Sequence, residues 1–203
     1  MNNLIKLFYQ TPGLVNISKN DDFEPQPGVF ASIYINLKTP LSFPKVRKRI
    51  VKIISQNIDK EVDYICGMES GGSYYASAVA DKTNKKVILF RKDKKKYNIK
   101  NYFVGKLPKK SDYVVIVDDV ISSGNTVSKA TSQLLKMGCK VEVVTIFSYT
   151  WHAVIAKNLG IKIISLCNAD ELIEYGMKIN RLTEYNIKII RDFIAREENR
   201  LAK

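Results

Sequence analysis

The hydrophobic positions of the chain follow two alternating periods. Short apolar runs are typical of buried strands, and segments with an apolar residue every three or four positions are typical of helices. The predicted strands are 32–37, 62–66, 87–90, 113–117, 141–147 and 161–166, and the predicted helices are 2–9, 43–58, 73–82, 124–137, 151–158, 169–176 and 183–201. This order predicts an α/β fold with a mainly parallel twisted sheet, helices on both faces, and ligands at the carboxyl ends of the strands.

The most informative segment is 114–126 (VVIVDDVISSGNT). It predicts a strand that ends at Asp118 and Asp119, a turn of small residues, and then a helix. A strand–turn–helix unit of this kind directs free N–H groups at one point, where a phosphate can bind. Because two carboxylates would repel a bare phosphate, the simplest ligand has hydroxyls or a divalent cation beside its phosphate. A ribose 5-phosphate fits this description.

A second glycine-rich loop, 67–72 (GMESGG), also follows a predicted strand and precedes a predicted helix. Its three glycines allow backbone conformations that other residues avoid. Glycine-rich turns are common, so the loop alone is a weak signal. Its position one strand ahead of a lysine-rich stretch indicates a second anion site.

The net charge of +13 is concentrated in one stretch. Residues 85–110 hold eleven Lys or Arg side chains against the single acid Asp93 and supply +10 of the total. A uniformly basic surface would indicate nucleic acid, whereas a local concentration indicates an anion site. Within this stretch, 91–104 has no amphipathic period, which is typical of a functional loop over a site or of a solvated lysine run.

The remaining composition limits the classes of protein. A chain of 203 residues suits one α/β domain, which we expect to span 1–203. We find no apolar run of about 18 residues and no secretory pattern at the N-terminus, so no membrane partner is expected. The three cysteines are widely spaced in apolar surroundings and predict free thiols in a reducing, cytoplasmic compartment. The single histidine, His152, is interpreted as a surface or packing residue.

The segment 114–126 resembles the phosphoribosyl diphosphate (PRPP) signature of the type I phosphoribosyltransferases. The resemblance implies that the two acids hold the ribose hydroxyls, partly through Mg²⁺, and that 122–126 cradles the 5-phosphate. Mg²⁺ would be carried by PRPP, with no direct protein metal site. The implied PRPP contacts are Glu69, Ser70, Gly71, Gly72, Arg91, Lys92, Lys95, Tyr97, Asp118, Asp119, Val120, Ile121, Ser122, Ser123, Gly124, Asn125 and Thr126.

Most of the chain is similar to the orotate-specific branch of this family. The similar segments are 32–50, 66–82, 91–97 (RKDKKKY), 145–149 (TIFSY) and 166–170. The resemblance implies a small N-terminal hood at 1–40, a core at 41–203 and a mobile loop at about 91–107. It further implies phosphoribosyl transfer from PRPP to orotate in pyrimidine biosynthesis, by a homodimer whose loop closes over the neighbouring site. The implied catalytic residues are Lys95, Asp118 and Asp119, and the implied nucleobase contacts are Ser122 and Gln26.

Several residues differ from the family pattern. Tyr97 replaces a loop histidine, Gln26 a lysine, Asn36 an aspartate and Lys38 an arginine. Two alternatives therefore remain: a weakly active paralogue or an enzyme for another base, and a PRPP-sensing regulator. A regulator that binds nucleic acid would need a DNA-binding element, and no helix-turn-helix segment is evident. The expected partners are therefore PRPP and a nucleobase, without nucleic acid.

Overall fold

The computed structural model describes residues 3–18, 23–26, 29–31, 33–92, 102–150 and 152–201. Its helices are α1 (Asn3–Gln10), α2 (Pro44–Gln56), α3 (Gly71–Thr83), α4 (Asn125–Lys136), α5 (His152–Leu159), α6 (Ala169–Lys178) and α7 (Glu184–Leu201). Its strands are β1 (Val15–Ile17), β2 (Phe23–Gln26), β3 (Val29–Ala31), β4 (Ile33–Ile35), β5 (Tyr64–Met68), β6 (Lys86–Phe90), β7 (Phe103–Val104), β8 (Tyr113–Ile121), β9 (Lys140–Ser148) and β10 (Lys162–Ser165).

A six-stranded sheet with the order β10-β9-β8-β5-β6-β7 forms the centre of the fold. Its first five strands are parallel, and β7 pairs antiparallel to β6. Every residue of β5 is buried, as are the first six of β8, because helices cover both faces of a parallel sheet. The predicted α/β fold class is confirmed.

The strand order reverses between β5 and β8, and this reversal positions the site. From β5 the chain passes through α3 to β6 on one side, whereas from β8 it passes through α4 to β9 on the other. Right-handed crossovers therefore place α3 and α4 on opposite faces of the sheet. The crevice between the carboxyl ends of β5 and β8 is where a sheet of this type binds ligands.

The N-terminal region contains strands that the sequence did not predict. The turn-rich stretch 11–28 contributes β1 and β2; β1 pairs antiparallel with β4, and β2 pairs antiparallel with β3. The segment after β4 is fixed to the core, because Leu37 is buried and its carbonyl accepts a hydrogen bond from the Tyr75 hydroxyl of α3 at 2.9 Å. These contacts hold the N-terminal strands beside the sheet.

The predicted loop at 91–107 differs from the structure at its C-terminal end. Phe103 and Val104 form β7, and the buried Phe103 ring packs edge-on against Phe90. The Arg91 N–H donates to the Tyr102 carbonyl at 2.8 Å, so the residues on either side of 93–101 are joined. Residues 93–101 lie outside the described ranges.

Two further expectations concern the thiols and the membrane. Cys66, Cys139 and Cys167 are buried and free, as predicted. Within the described ranges, no helix combines the length and the hydropathy needed to cross a membrane.

Candidate functional site

The carboxylate pair lies inside β8, not at its end. The strand continues through Asp118 and Asp119 to Ile121, because β9 pairs with it as far as Ile121 and Ser148. On the other side, β5 stops pairing at Gly67 and Val117. The two acids therefore begin where one neighbouring strand ends, and they face the crevice between β5 and β8 while β9 still holds their backbone.

The Asp118 carboxyl is buried, and its burial perturbs its pKa. It is 9% exposed, and its Oδ1 accepts the Asp119 N–H at 2.9 Å. Burial, followed by the neighbouring charge of Asp119, raises the pKa of the Asp118 carboxyl well above its ordinary value. No described cation lies within ion-pair distance of Asp118. An anionic Asp118 is thus unfavourable until a cation or hydroxyl donors arrive, which is typical of a binding site and not of a structural ion pair.

Asp118→Asn is expected to make the protein more stable than the wild type at pH 8. The folded-state pKa of Asp118 lies above the unfolded value of about 3.9, so wild-type stability falls as the pH rises above about 4. Asparagine removes the charge and keeps the oxygen that accepts the Asp119 N–H. Thermal unfolding followed by circular dichroism between pH 4 and pH 8 measures this effect. The melting-temperature difference should grow with pH, and a difference that does not vary with pH would contradict the stated cause.

The glycines at the start of α3 allow this helix to approach the acids. A Cβ on Gly71 would overlap the carboxylate of Asp119, and one on Gly72 would lie 2.5 Å from the Val117 carbonyl oxygen. Ser70, at the N-cap, makes no side-chain capping bond, so the first N–H groups of α3 remain available for an anion. The Glu69–Ser70 peptide bond is cis. The loop 67–72 therefore faces the acids directly.

The turn after β8 forms a small cavity of about 80 Å³. Gly124 adopts a left-handed conformation at φ 74° and precedes α4, which has no side-chain cap at its N-terminus. The backbone N–H groups of a turn and of an uncapped helix start attract phosphate oxygens. The cavity is lined by Asp118, Val120, Ile121, Ser122, Ser123, Gly124, Asn125, Thr126 and Val127.

A larger cavity of about 520 Å³ joins these elements. Asp118, Asp119, the glycine-rich loop and the turn 122–126 form its floor, and residues 34–38, at the end of β4 and directly after it, form another wall. Its lining residues are Tyr34, Ile35, Asn36, Leu37, Lys38, Glu69, Ser70, Gly71, Lys92, Asp118, Asp119, Val120, Ser122, Thr126 and Tyr149. This volume lies in the range of about 300–1,000 Å³ typical of small-molecule sites.

Most of the predicted site residues meet at these two cavities, with five exceptions. Gly72 and Arg91 line neither, and Gly72 instead allows close packing of α3 on β8. Lys95 and Tyr97 lie outside the described residues, as does the side chain of Gln26 on β2. Lys92 lines the larger cavity, and its N–H donates to the Glu69 carboxylate at 3.2 Å. The functional roles of all these residues remain predictions.

Sequence reasoning did not include Tyr34, Asn36, Lys38 and Tyr149 among the site residues. Tyr149 is buried, burial raises the pKa of its hydroxyl, and both Tyr149 and Tyr34 line the larger cavity. Asn36 and Lys38 differ from the family pattern. This difference was a signal in the sequence for that part of the site, because both residues line the same cavity. Tyr149 ends the segment 145–149 (TIFSY), which resembles the family, but that resemblance did not imply a ligand contact for it.

His152 takes part in a hydrogen-bond network behind the cavity wall. Its Nδ1 lies 2.9 Å from Ser148 Oγ and 3.0 Å from the Tyr149 carbonyl oxygen. Ser148 Oγ donates to Ser165 Oγ at 2.8 Å, and Ser165 Oγ donates to the Cys167 carbonyl. His152 lines neither cavity, so its contacts agree with the predicted packing role.

Comparison with known proteins identifies the family to which this fold and cavity correspond. Residues 36–162 match the model of the phosphoribosyl transferase domain, which is more than half of the chain. The chain belongs to the phosphoribosyltransferase family. The matched region includes residues 36–38 of the cavity wall, the glycine-rich loop, the two acids and the turn 122–126.

Relatives and solved structures show how the phosphoribosyltransferase fold is shared. The chain is 32% identical over 201 residues to the orotate phosphoribosyltransferase of Malacoplasma penetrans, covering 95% of both chains. A crystal structure of orotate phosphoribosyltransferase from Aeropyrum pernix matches with a TM-score of 0.70 and 21% identity, over 85% of this chain and 98% of that one. Adenine phosphoribosyltransferase from Leishmania tarentolae matches with a TM-score of 0.65 and 17% identity, over 91% of both. The fold is therefore common to enzymes named for different bases.

The described residues of this phosphoribosyltransferase do not form a metal site built from protein ligands alone. Across the described ranges, no group of three or more His, Cys, Asp or Glu side chains could hold a metal ion. Mg²⁺ commonly binds through one or two carboxylates together with substrate phosphates. Asp118 and Asp119, which lie beside the turn 122–126, fit a Mg²⁺ ion that arrives with a diphosphate substrate.

Proposed function

We propose that the protein transfers the 5-phosphoribosyl group of PRPP to orotate, giving orotidine 5′-monophosphate and diphosphate, a step of pyrimidine biosynthesis. The observation that carries the proposal is the cavity itself. In it a carboxylate pair lies beside the uncapped starts of α3 and α4, and residues 34–38 form another wall, which supports sites for two phosphate groups and a base. Relatives that match over most of the chain are named orotate phosphoribosyltransferase, which supports orotate as the base.

The site binds PRPP in one orientation. The 5-phosphate occupies the small cavity at 122–126, the ribose hydroxyls meet Asp118 and Asp119, and the diphosphate lies beside 69–72. The free N–H groups at the start of α3 then face the diphosphate, and those at the start of α4 face the 5-phosphate. The base is left with the space bounded by Tyr34, Asn36, Lys38 and Tyr149.

The reaction breaks the bond between the anomeric carbon and the diphosphate oxygen and forms a bond from that carbon to a ring nitrogen of orotate. Positive charge grows on the ribose ring, and Asp118 and Asp119 lie beside it to stabilise that charge. Negative charge grows on the departing diphosphate, which Arg91, Lys92 and Lys95 stabilise. Mg²⁺ bound to PRPP supplies further neutralisation of the same charge. The ring nitrogen of orotate is acidic, so it loses its proton to solvent before it attacks the anomeric carbon. No histidine base is needed, and His152 does not line the cavity.

We propose further that the protein assembles as a homodimer and is located in the cytoplasm. In this proposal the mobile loop at about 91–107 closes over the active site of the neighbouring subunit. Among the described residues of this loop, Arg91 and Tyr102 are joined by a backbone hydrogen bond, and the Lys129 ammonium of α4 lies 4.1 Å from the Tyr102 ring centroid. These contacts hold the described ends of the loop against the core. The buried free cysteines support a reducing compartment, the cytoplasm.

A panel of bases tests the proposed activity. With PRPP and Mg²⁺, orotate should release diphosphate, whereas uracil, adenine and hypoxanthine should not, because a site built to pair a carboxylate discriminates strongly against bases that lack it. Protein with Asp118→Asn and Asp119→Asn, purified in parallel, controls for contaminating enzymes. If adenine or hypoxanthine reacted faster than orotate, the protein would serve another base. If no base reacted while PRPP bound tightly, a PRPP sensor would be the better description.

A further inference from the structure

The cavity is acidic on its floor, which poses a problem for an anionic base. Three carboxylates line it, from Glu69, Asp118 and Asp119, and only two described cations do, from Lys38 and Lys92. Lys92 lies next to Glu69 on the side assigned to the diphosphate, through the hydrogen bond from its N–H to the Glu69 carboxylate. The remaining described cation, Lys38, lies on the wall assigned to the base. A carboxylate on the base needs a positive partner at that wall.

The backbone that carries Lys38 is held in place by several hydrogen bonds. The Asn36 side chain accepts the Lys38 N–H at 3.2 Å, and the Asn36 carbonyl accepts the Thr39 N–H at 3.2 Å. The Thr39 hydroxyl donates to the Gly13 carbonyl at 3.2 Å. These bonds form a fixed turn on which the lysine side chain is presented. A fixed backbone lowers the entropic cost of ordering the ammonium on a ligand.

The same turn is linked to the ribose end of the site. The Tyr75 hydroxyl donates to the carbonyl of Leu37, the residue before Lys38. Tyr75 lies on α3, and a Cβ on the first residue of this helix, Gly71, would overlap the Asp119 carboxylate. Lys38 therefore follows a residue that Tyr75 connects to the helix packed against the acids. In orotate, the carboxylate is on the carbon next to the nitrogen that attacks the ribose, so it must lie close to this junction.

The Lys38 ammonium is available for a ligand. Its side chain is exposed, and no carboxylate in the described ranges forms an ion pair with it. By contrast, the Lys129 ammonium contacts the Tyr102 ring and the Lys92 carbonyl, so it is already engaged. Lys38 thus combines a cavity position, a fixed backbone and an uncommitted charge.

We propose that Lys38 is the residue that selects the carboxylate of the nucleobase, so that it determines specificity for orotate over neutral pyrimidines. This inference rests on the proposed function. A cation that pairs with the carboxylate in both the bound substrate and the transition state lowers KM with little effect on kcat. Loss of the charge should therefore raise KM for orotate and leave KM for PRPP unchanged.

Lys38→Met tests the inference by comparing orotate with orotamide, its neutral amide. Steady-state diphosphate release gives KM for orotate, and competition against orotate gives the inhibition constant of orotamide. In Lys38→Met, KM for orotate should rise roughly 10- to 100-fold, as expected for loss of a charge-assisted hydrogen bond, while the orotamide constant changes little. Lys38→Arg should retain the preference for orotate. Lys157→Met removes an exposed charge that does not line the cavity and should behave as wild type.

The outcomes separate the inference from the proposed function. If wild type releases diphosphate with orotate but Lys38→Met weakens orotate and orotamide equally, the lysine shapes the wall without reading the carboxylate, and the inference is wrong. If the KM for PRPP rises instead, Lys38 serves the diphosphate. If wild type gives no release with orotate, the proposed function fails and this inference fails with it.

Discussion

Replacing Asp118 and Asp119 together with asparagine is expected to abolish PRPP binding while the protein stays folded. Both carboxylates face the cavity at the point where β5 ends, and neither is needed for a described ion pair. Loss of two charge-assisted contacts to hydroxyls should lower the affinity for PRPP by at least about 100-fold. Isothermal titration calorimetry of PRPP in the presence of Mg²⁺ measures the change.

A fold control makes this result interpretable. Because the Asp118 carboxyl is destabilised by burial, the double variant should unfold at or above the wild-type temperature at neutral pH. The asparagine at 118 keeps the acceptor for the 119 N–H, so β8 should keep its pairing with β9. If a folded double variant bound PRPP with unchanged affinity, Asp118 and Asp119 would not form the ribose site.

Lys95→Ala is expected to lower kcat by about two orders of magnitude, because its charge acts on the diphosphate mainly as that group departs. The affinity for PRPP should fall much less, since the 5-phosphate turn and the acids provide most ground-state contacts. Burst and steady-state kinetics, with PRPP binding measured separately, distinguish the two effects.

The matched control for Lys95 is Lys109→Ala. Lys109 belongs to the same basic stretch, is exposed and lines neither cavity, so its loss changes net charge alone. Equal losses of affinity and turnover in Lys95→Ala would make Lys95 a ground-state contact. If Lys95→Ala and Lys109→Ala lowered kcat equally, the loss would be a general effect of net charge and not a role specific to Lys95.

The periodic part of the sequence predicted the fold well because local pattern and burial agree there. Segment 113–117 is apolar at every position, and segment 143–147 is buried at every position; a parallel sheet covered by helices on both faces buries such runs. The strand β8 was nevertheless predicted too short. Two aspartates are unfavourable in a strand by themselves, yet pairing with β9 extends the strand across them. This extension is a tertiary effect that local propensity does not contain.

Only part of the cavity could be predicted from the sequence, for a similar reason. The acids and the phosphate turn are contiguous in sequence, so their motif was visible. The opposite wall depends on β1 and β4, three residues each, which find each other across the chain. Lys38 and Tyr149 are 111 positions apart, and only the folded chain brings them to one cavity. Asn36 and Lys38 differ from the family pattern, which indicated that this segment was unusual. The sequence did not show which residues the segment faces in the fold.

The most direct test of the account is a crystal structure with orotidine 5′-monophosphate bound. We expect the 5′-phosphate in the cavity at 122–126, the ribose hydroxyls on Asp118 and Asp119, and the base carboxylate within hydrogen-bond distance of Lys38 Nζ. A nucleotide bound in the reverse orientation, or with its phosphate away from 122–126, would contradict the assignment of this cavity to phosphoribosyl transfer.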